Sequence, residues 1–255
     1  CPNCDSLLSV NEGNLKFLKS LKTNVPHEFA LPIGAEGTFK DDVKFKIVGA
    51  VVRSVTFDGV NYYWHEYLLY NPMIGYRWLV HSDGHWNFVE PINAADVGTD
   101  GSVTYTGAAK NVVYNGRSYR IFQDAAATVE YVRGEFYWAI KQGERVRALD
   151  YVAAPLMLSQ EVSGSEINWS AGIYLTPKEV EKAFGIKDLP RPWGIAPNQP
   201  FTGSFYYTWG LLPILALFGI AMFLFPLKGI SSTVLTQEIV LPPMTNPGTP
   251  QTAFS

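Results

Sequence analysis

The 255 residues hold 23 acids against 20 bases, a net charge of −3. No stretch gathers Lys and Arg into a stripe, which argues against a nucleic-acid partner. The chain is 47% hydrophobic and 14% aromatic but only 17% charged, a balance that points to extensive apolar burial or contact with lipid.

The first residues, Cys1-Pro-Asn-Cys4, hold both cysteines. A C-x-x-C pair followed by a turn is half of a zinc ribbon, and a structural zinc site takes four ligands. Zinc is therefore expected in a longer parent chain that supplies the second pair, with no other cofactor. A terminal disulfide or two free thiols is the alternative. His81 and His85, in HSDGH, have the count to complete the site, but Ser82-Asp83-Gly84 reads as a turn that sets them across a hairpin. Residues 11–22, NEGNLKFLKSLK, read as a short helix with Leu15, Phe17, Leu18 and Leu21 on one side. Residues 1–26 thus form a partial ribbon and helix.

From Leu31 the pattern becomes strand-like. Apolar or alternating runs at 44–49, 62–70, 76–80 and 86–90 are separated by Asp58-Gly59, Asn71-Pro72 and Asp83-Gly84. A similar pattern recurs 74 residues on. Phe45-Lys-Ile-Val falls on Tyr119-Arg-Ile-Phe, and Tyr62-Tyr63-Trp64 on Phe136-Tyr137-Trp138; with a small shift, Trp78-Leu79-Val80 falls on Leu156-Met157-Leu158. This predicts a mainly β protein with two tandem small antiparallel barrels or rolls, at 27–93 and 103–176.

Next comes a helix signature. Thr176 is placed to cap, Pro177 to open the first turn, Glu179 to close a capping box and Gly185 to stop the helix. A Pro-rich linker completes 177–205. Residues 206–227, YYTWGLLPILALFGIAMFLFPL, form an uncharged apolar run, and about 20 such residues match a bilayer core. Tyr206, Tyr207 and Trp209 at one end and Lys228 at the other suit the two interfaces. The reading is a single transmembrane α-helix over 206–228. In the tail, 229–255, one strand-like run at 233–241 precedes a Pro-rich stretch, as at the start of a further β-domain.

The Gly-initiated strand at Gly49, then Trp64-His65-Glu66-Tyr67-Leu68-Leu69, Trp78-Leu79 and Gly84-His85-Trp86, resemble a bacterial family described only as a domain of unknown function, number 4178. The likeness runs over roughly residues 1 to 228. It implies an N-terminal zinc ribbon ending in C-P-x-C, tandem domain copies, a membrane span and a C-terminal β-domain. The chain departs from that pattern in lacking the first cysteine pair, and in having Ala139-Ile140 where its first copy has His65-Glu66.

No nucleophile elbow, phosphate-cradling Gly loop, HExxH or spaced acid pair is present. The expectation is a non-enzymatic, single-span accessory subunit that scaffolds a larger membrane complex, with membrane lipid and other membrane subunits as partners. A C-x-x-C ribbon favours a reducing compartment and no export signal is seen. The expected place is therefore the bacterial inner membrane, with β-domains cytoplasmic and the tail extracytoplasmic. Two alternatives stand beside it. In the first, Trp64, Glu66, Trp78, Trp86 and Trp138 line an aromatic groove for a small cationic or sugar ligand or an interface; in the second, Glu66 acts as an enzyme's carboxylate. As a carboxylate in an aromatic strand, Glu66 is expected to titrate high if it points inward.

Overall fold

The computed structural model describes residues 6–11, 14–20, 28–39 and 42–201, the first two stretches as backbone only. Strands β1 (Ser6–Asn11) and β2 (Asn14–Ser20) form an antiparallel two-stranded sheet. Where a helix is expected over 11–22, the described residues Asn14–Ser20 form a strand. Only two residues, Glu12-Gly13, separate the runs, and in Asn14-Leu-Lys-Phe the polar and apolar residues alternate as a strand requires, a period outweighed in the sequence reading by the i, i+3, i+4 spacing.

All other strands belong to one antiparallel sheet. They are β3 (Glu36–Thr38), β4 (Lys44–Phe57), β5 (Val60–Asn71), β6 (Gly75–Ser82), β7 (His85–Ile92), β8 (Gly98–Thr99), β9 (Asn111–Tyr114), β10 (Arg117–Gly134), β11 (Arg145–Ala153), β12 (Leu156–Ser163) and β13 (Glu166–Leu175). Asp58-Gly59, Asp83-Gly84 and Asn115-Gly116 take left-handed φ at both residues, the turn whose twist matches a two-residue hairpin.

β4 to β7 form one meander and β10 to β13 another. They close on each other, because β7 pairs with β13 (Val89 opposite Gly172) and β4 with β10 (Gly49 opposite Gly134). The order around the barrel is β4-β5-β6-β7-β13-β12-β11-β10. This corrects the expected pair of tandem barrels: there is a single eight-stranded barrel. A four-stranded meander alone leaves both edges bare, and here each edge is satisfied by the other meander. The 74-residue offset does align β4 with β10. It fails at Phe136-Tyr137-Trp138, which lie in the connection between β10 and β11.

At the β4–β10 seam the overlap is partial. β4 uses Gly49–Ser54 and β10 uses Thr128–Gly134. The start of β4 is covered instead by β3 and the start of β10 by β9. Gly134, at φ +93°, lies so close to the partner strand that a Cβ there would stand 2.4 Å from the Val48 carbonyl oxygen.

Outside the barrel, Phe45, Ile47, Tyr67, Leu69, Leu79 and Trp86 form an apolar face covered by Leu31, Val180 and Leu189. Val180 comes from α1 (Pro177–Phe184), which is built as its sequence indicates, with a reciprocal Thr176–Glu179 capping box and Gly185 in the left-handed conformation. The Tyr67 hydroxyl accepts a hydrogen bond from Ala30 N at 3.0 Å, and burial pushes its pKa up to about 12. The chain after α1 then crosses the β6–β7 hairpin, where Trp193 N donates to the Asp83 carbonyl. It ends its crossing at Asn198, 1% exposed, whose amide donates to Asn87 Oδ1 at 2.6 Å and to the Pro155 carbonyl at 3.1 Å.

No helix among the described residues is long and apolar enough to cross a membrane. The span at 206–228 with Tyr206, Tyr207, Trp209 and Lys228, the strand-like run at 233–241, and Cys1 and Cys4 all lie outside the described residues. The expected architecture, two small modules on a lipid-embedded anchor, gives way among the described residues to one closed barrel, with no described helix to serve as the anchor. The reading built on it, a scaffold subunit of the inner membrane with a cytoplasmic and an extracytoplasmic side, falls with it.

Candidate functional site

A closed sheet sends alternate side chains inward. In this barrel they do not fill the interior. A cavity of about 1660 Å³ is lined by residues of all eight barrel strands, whereas small-molecule sites are usually about 300–1,000 Å³.

Its walls differ. On β5 and β6 the inward residues include Tyr62, Trp64, Tyr76 and Trp78, with Glu66 and Val80 beside them; on β10, β11, β12 and β13 they include Ala125, Ala127, Ala148, Ser159 and Ser170. The connection 135–144 adds to the aromatic side. Trp138 meets Trp78 edge-on at 5.8 Å between ring centroids, and Tyr137 lies 4.3 Å from Tyr76. Large rings facing small side chains leave a slot against which a flat apolar body can stack.

A charged cluster crosses this space. Arg53 on β4 places Nε 3.0 Å from Glu66 Oε2 on β5 and Nη1 3.6 Å from Glu161 Oε1 on β12. β4 and β12 are not neighbours in the sheet, so the guanidinium spans the interior. Glu66 Oε1 also accepts from the Trp64 indole N–H at 2.7 Å. Burial opposes the charge on Arg53, but Glu66 and Glu161 outweigh it and hold the guanidinium protonated more firmly than usual. Asp150 on β11 belongs to the same group of charges. Burial raises its pKa, a hydrogen bond from Ser159 opposes the rise, and Glu66 adds to it. Burial likewise raises Glu161, against Arg53 and with help from Glu66 and Asp150.

Asp150 is raised when folded, so the folded protein holds that proton more tightly than the unfolded chain. Its contribution to stability is present at low pH and is lost as pH rises through the folded value. Asp150→Asn is therefore expected to raise the melting temperature at pH 8 by about 2–4 °C, on the order of 1 kcal/mol in a domain of this size, with little gain at pH 4. Calorimetry at the two pH values measures it.

The cavity opens where the seam parts. Beyond Ser54 and before Thr128, β4 and β10 no longer pair. The rim there carries Phe57, Tyr62 and Phe122, each more than half exposed although each also lines the cavity.

The sequence-named residues divide between two sides of the sheet. Trp64, Glu66, Trp78 and Trp138 all line the cavity. Trp86 faces the other way, fully buried in the outer apolar face and stacked on His81 at 4.1 Å. His81, opposite Trp86 in the hairpin, shares that outer side, and neither His81 nor His85 lines the cavity. His81 Nε2 accepts from Gly84 N, and His85 is held between the Tyr174 hydroxyl and the Trp193 carbonyl. Burial, with His65 and His85 nearby, lowers His81 to about 4, so it stays neutral at ordinary pH. Among the described residues, no group of His, Cys, Asp or Glu is placed to hold a metal ion.

Sequence reasoning missed Arg53, Asp150 and Glu161. The signal was there: each is a charged residue inside a run that otherwise reads as strand, as in Val51-Val52-Arg53-Ser54-Val55 and Leu149-Asp150-Tyr151. A charge on a strand face that the pattern buries has to be paired or to serve a purpose.

Comparison with known proteins is consistent with the geometry. The profile of the family described as "Domain of unknown function (DUF4178)" matches residues 32–177, a stretch that contains every barrel strand. No curated protein and no solved structure matches the chain. With more than half of its length, and the whole cavity-bearing barrel, inside that profile, the chain belongs to the DUF4178 family.

Proposed function

We propose that the barrel is a receptor for a small molecule with a flat apolar body, and that no reaction is carried out on it. The observation that supports this most is the unfilled interior itself. Eight strands make a barrel just wide enough to be packed solid or to hold one small ligand, and this one keeps about 1660 Å³ open behind an aromatic wall. Protein interiors are otherwise close-packed, so a lumen of this size, with Trp64 and Trp78 facing it and an apolar rim at its entrance, fits a ligand better than a purely structural role. Against catalysis, Glu66 is held at one oxygen by the Trp64 indole N–H and at the other by the charge of Arg53, so taking up a substrate proton would cost it a buried charge contact.

The test is titration of the 255-residue protein with Nile red, a neutral dye whose emission shifts blue in apolar surroundings. Saturable one-to-one binding is expected, with Trp78→Ala weakening it about tenfold through loss of the stacking face. Ala148→Trp, which puts a large ring into the slot, is expected to abolish it. Absence of saturable binding, or binding indifferent to Ala148→Trp in a folded variant, would overturn the reading.

A further inference from the structure

We infer that the ligand's polar end is a protonated amine, read by Glu161 and Asp150 at the Arg53 cluster. This rests on the receptor reading above and adds the chemistry of the head group.

The first argument is charge. Among the cavity-lining residues, Glu66 and Glu161 face the single guanidinium of Arg53, and Asp150 lies near enough to both carboxyls to add its charge to theirs. Arg77, the other lining cation, is turned to Glu90 at 3.4 Å. Of the remaining lining acids, Asp124 is taken by Arg147 at 2.7 Å, Glu144 accepts from its own turn at Lys141 N, and Glu166 is exposed at the start of β13. Glu66 takes the closer share of Arg53, at 3.0 Å against 3.6 Å for Glu161. Two carboxyls therefore remain short of positive charge in the lumen, Glu161 with 40% of its side chain exposed there, and an added cation would offset both. An anionic head group would meet like charge there instead.

The second argument is independent of the acids. Arg53 is only 6% exposed, yet its Nε and Nη1 have no aligned hydrogen-bond acceptor; its contacts to Glu66 and Glu161 are contacts of charge. A nine-tenths buried guanidinium normally completes its donors. A ligand that draws Glu161 onto its ammonium and offers an oxygen of its own to Nη1 finishes the network.

The third is the wall. Trp64 and Trp78 lie on the same stretch of β5 and β6 as Glu66, so an ammonium beside the cluster also lies near the faces that attract cations.

The experiment compares three dansyl probes on the intact protein: dansylcadaverine, which ends in a primary amine, its N-acetyl derivative, and a dansyl amino acid that ends in a carboxylate. The amine is expected to bind about tenfold or more tighter than the acetylated form, and the carboxylate weakest. In Glu161→Gln/Asp150→Asn the preference for the amine is expected to collapse while Nile red still binds. If the double variant does not fold, Glu161→Gln alone is expected to cut the preference at least threefold. Equal binding of the amine and its acetyl form, tighter binding of the carboxylate, or a preference that survives the substitutions overturns the amine inference and leaves the receptor reading intact. Failure of every probe and of Nile red overturns both.

Discussion

Arg53→Met is expected to destabilise the protein by about 3 kcal/mol at pH 7.5, a loss that shrinks steadily on acidification. The substitution keeps most of the side-chain volume and removes only the charge. Glu66, whose side chain is 12% exposed, is left in the lumen with no cation, and breaking one half of a buried pair costs about 3–5 kcal/mol. Glu161 contributes less, because at 40% exposure solvent screens it, which places the expectation at the low end of that range. The sign of the pH effect follows. With the cation gone, nothing opposes the burial and neighbouring charges that raise Glu161, so its carboxyl holds its proton more tightly in the folded than in the unfolded chain. The penalty is absent below the unfolded carboxylate range and grows as pH rises through the folded values. Urea unfolding at pH 4.5 and 7.5 measures it. Adding Glu66→Gln and Glu161→Gln to Arg53→Met is expected to restore most of the loss at pH 7.5. An Arg53→Met protein as stable as the parent at neutral pH would mean that water reaches the cluster freely and that the lumen is not a low-dielectric site.

The second large effect belongs to the seam. Gly134→Ala is expected to cost about 3 kcal/mol or more and to lower the melting temperature by roughly 10 °C. Two costs add. The residue sits at φ +93°, where a side chain is strained, and its new Cβ would press on backbone atoms, 2.4 Å from the Val48 oxygen and 2.7 Å from the Gly49 Cα. Backbone cannot swing aside as a flexible side chain can, so β4 and β10 must part where the barrel closes. Gly116→Ala isolates the first cost. It also has positive φ, +72°, but nothing within 4 Å of a new Cβ, and about 1 kcal/mol is expected. Calorimetry of the two variants side by side gives the difference. Similar losses at both positions would show that the seam yields without resistance.

Much of this could be read from the residues. Strands, two-residue turns and the capping box are local, and local chemistry names them: Asp58-Gly59 and Asp83-Gly84 turn where expected, and Thr176 and Gly185 bound α1. What eluded the reading is long-range. Nothing near Gly49 says that its partner is Gly134, because an edge strand has the same alternation whether it stays open or meets another edge. Phe136-Tyr137-Trp138 misled for a related reason. Aromatic residues are common in strands, yet these three are outside any strand: Tyr137 and Trp138 pack against Tyr76 and Trp78 as part of a cavity wall, and Phe136 packs on Trp138 behind them. The inward set was half legible. Trp64, Glu66 and Trp78 drew notice as aromatic-strand residues, and they do share one face with Trp138. Trp86 drew the same notice and lies on the opposite face, because the hairpin at Asp83-Gly84 sets its parity and composition does not. Arg53, Asp150 and Glu161 come from three strands spread over more than a hundred positions, and only the closed barrel sets them around one point.

The manner of closure also bears on synthesis. The first meander is complete by Ile92, but the strand that meets its β7 edge ends at Leu175. At about 5–20 residues per second, the ribosome leaves that half-made sheet waiting on the order of ten seconds for its counterpart. Throughout that interval two bare ladders of amides and carbonyls stand ready to accept a neighbouring nascent chain. The arrival of β13 therefore decides when those edges stop being open to a neighbour.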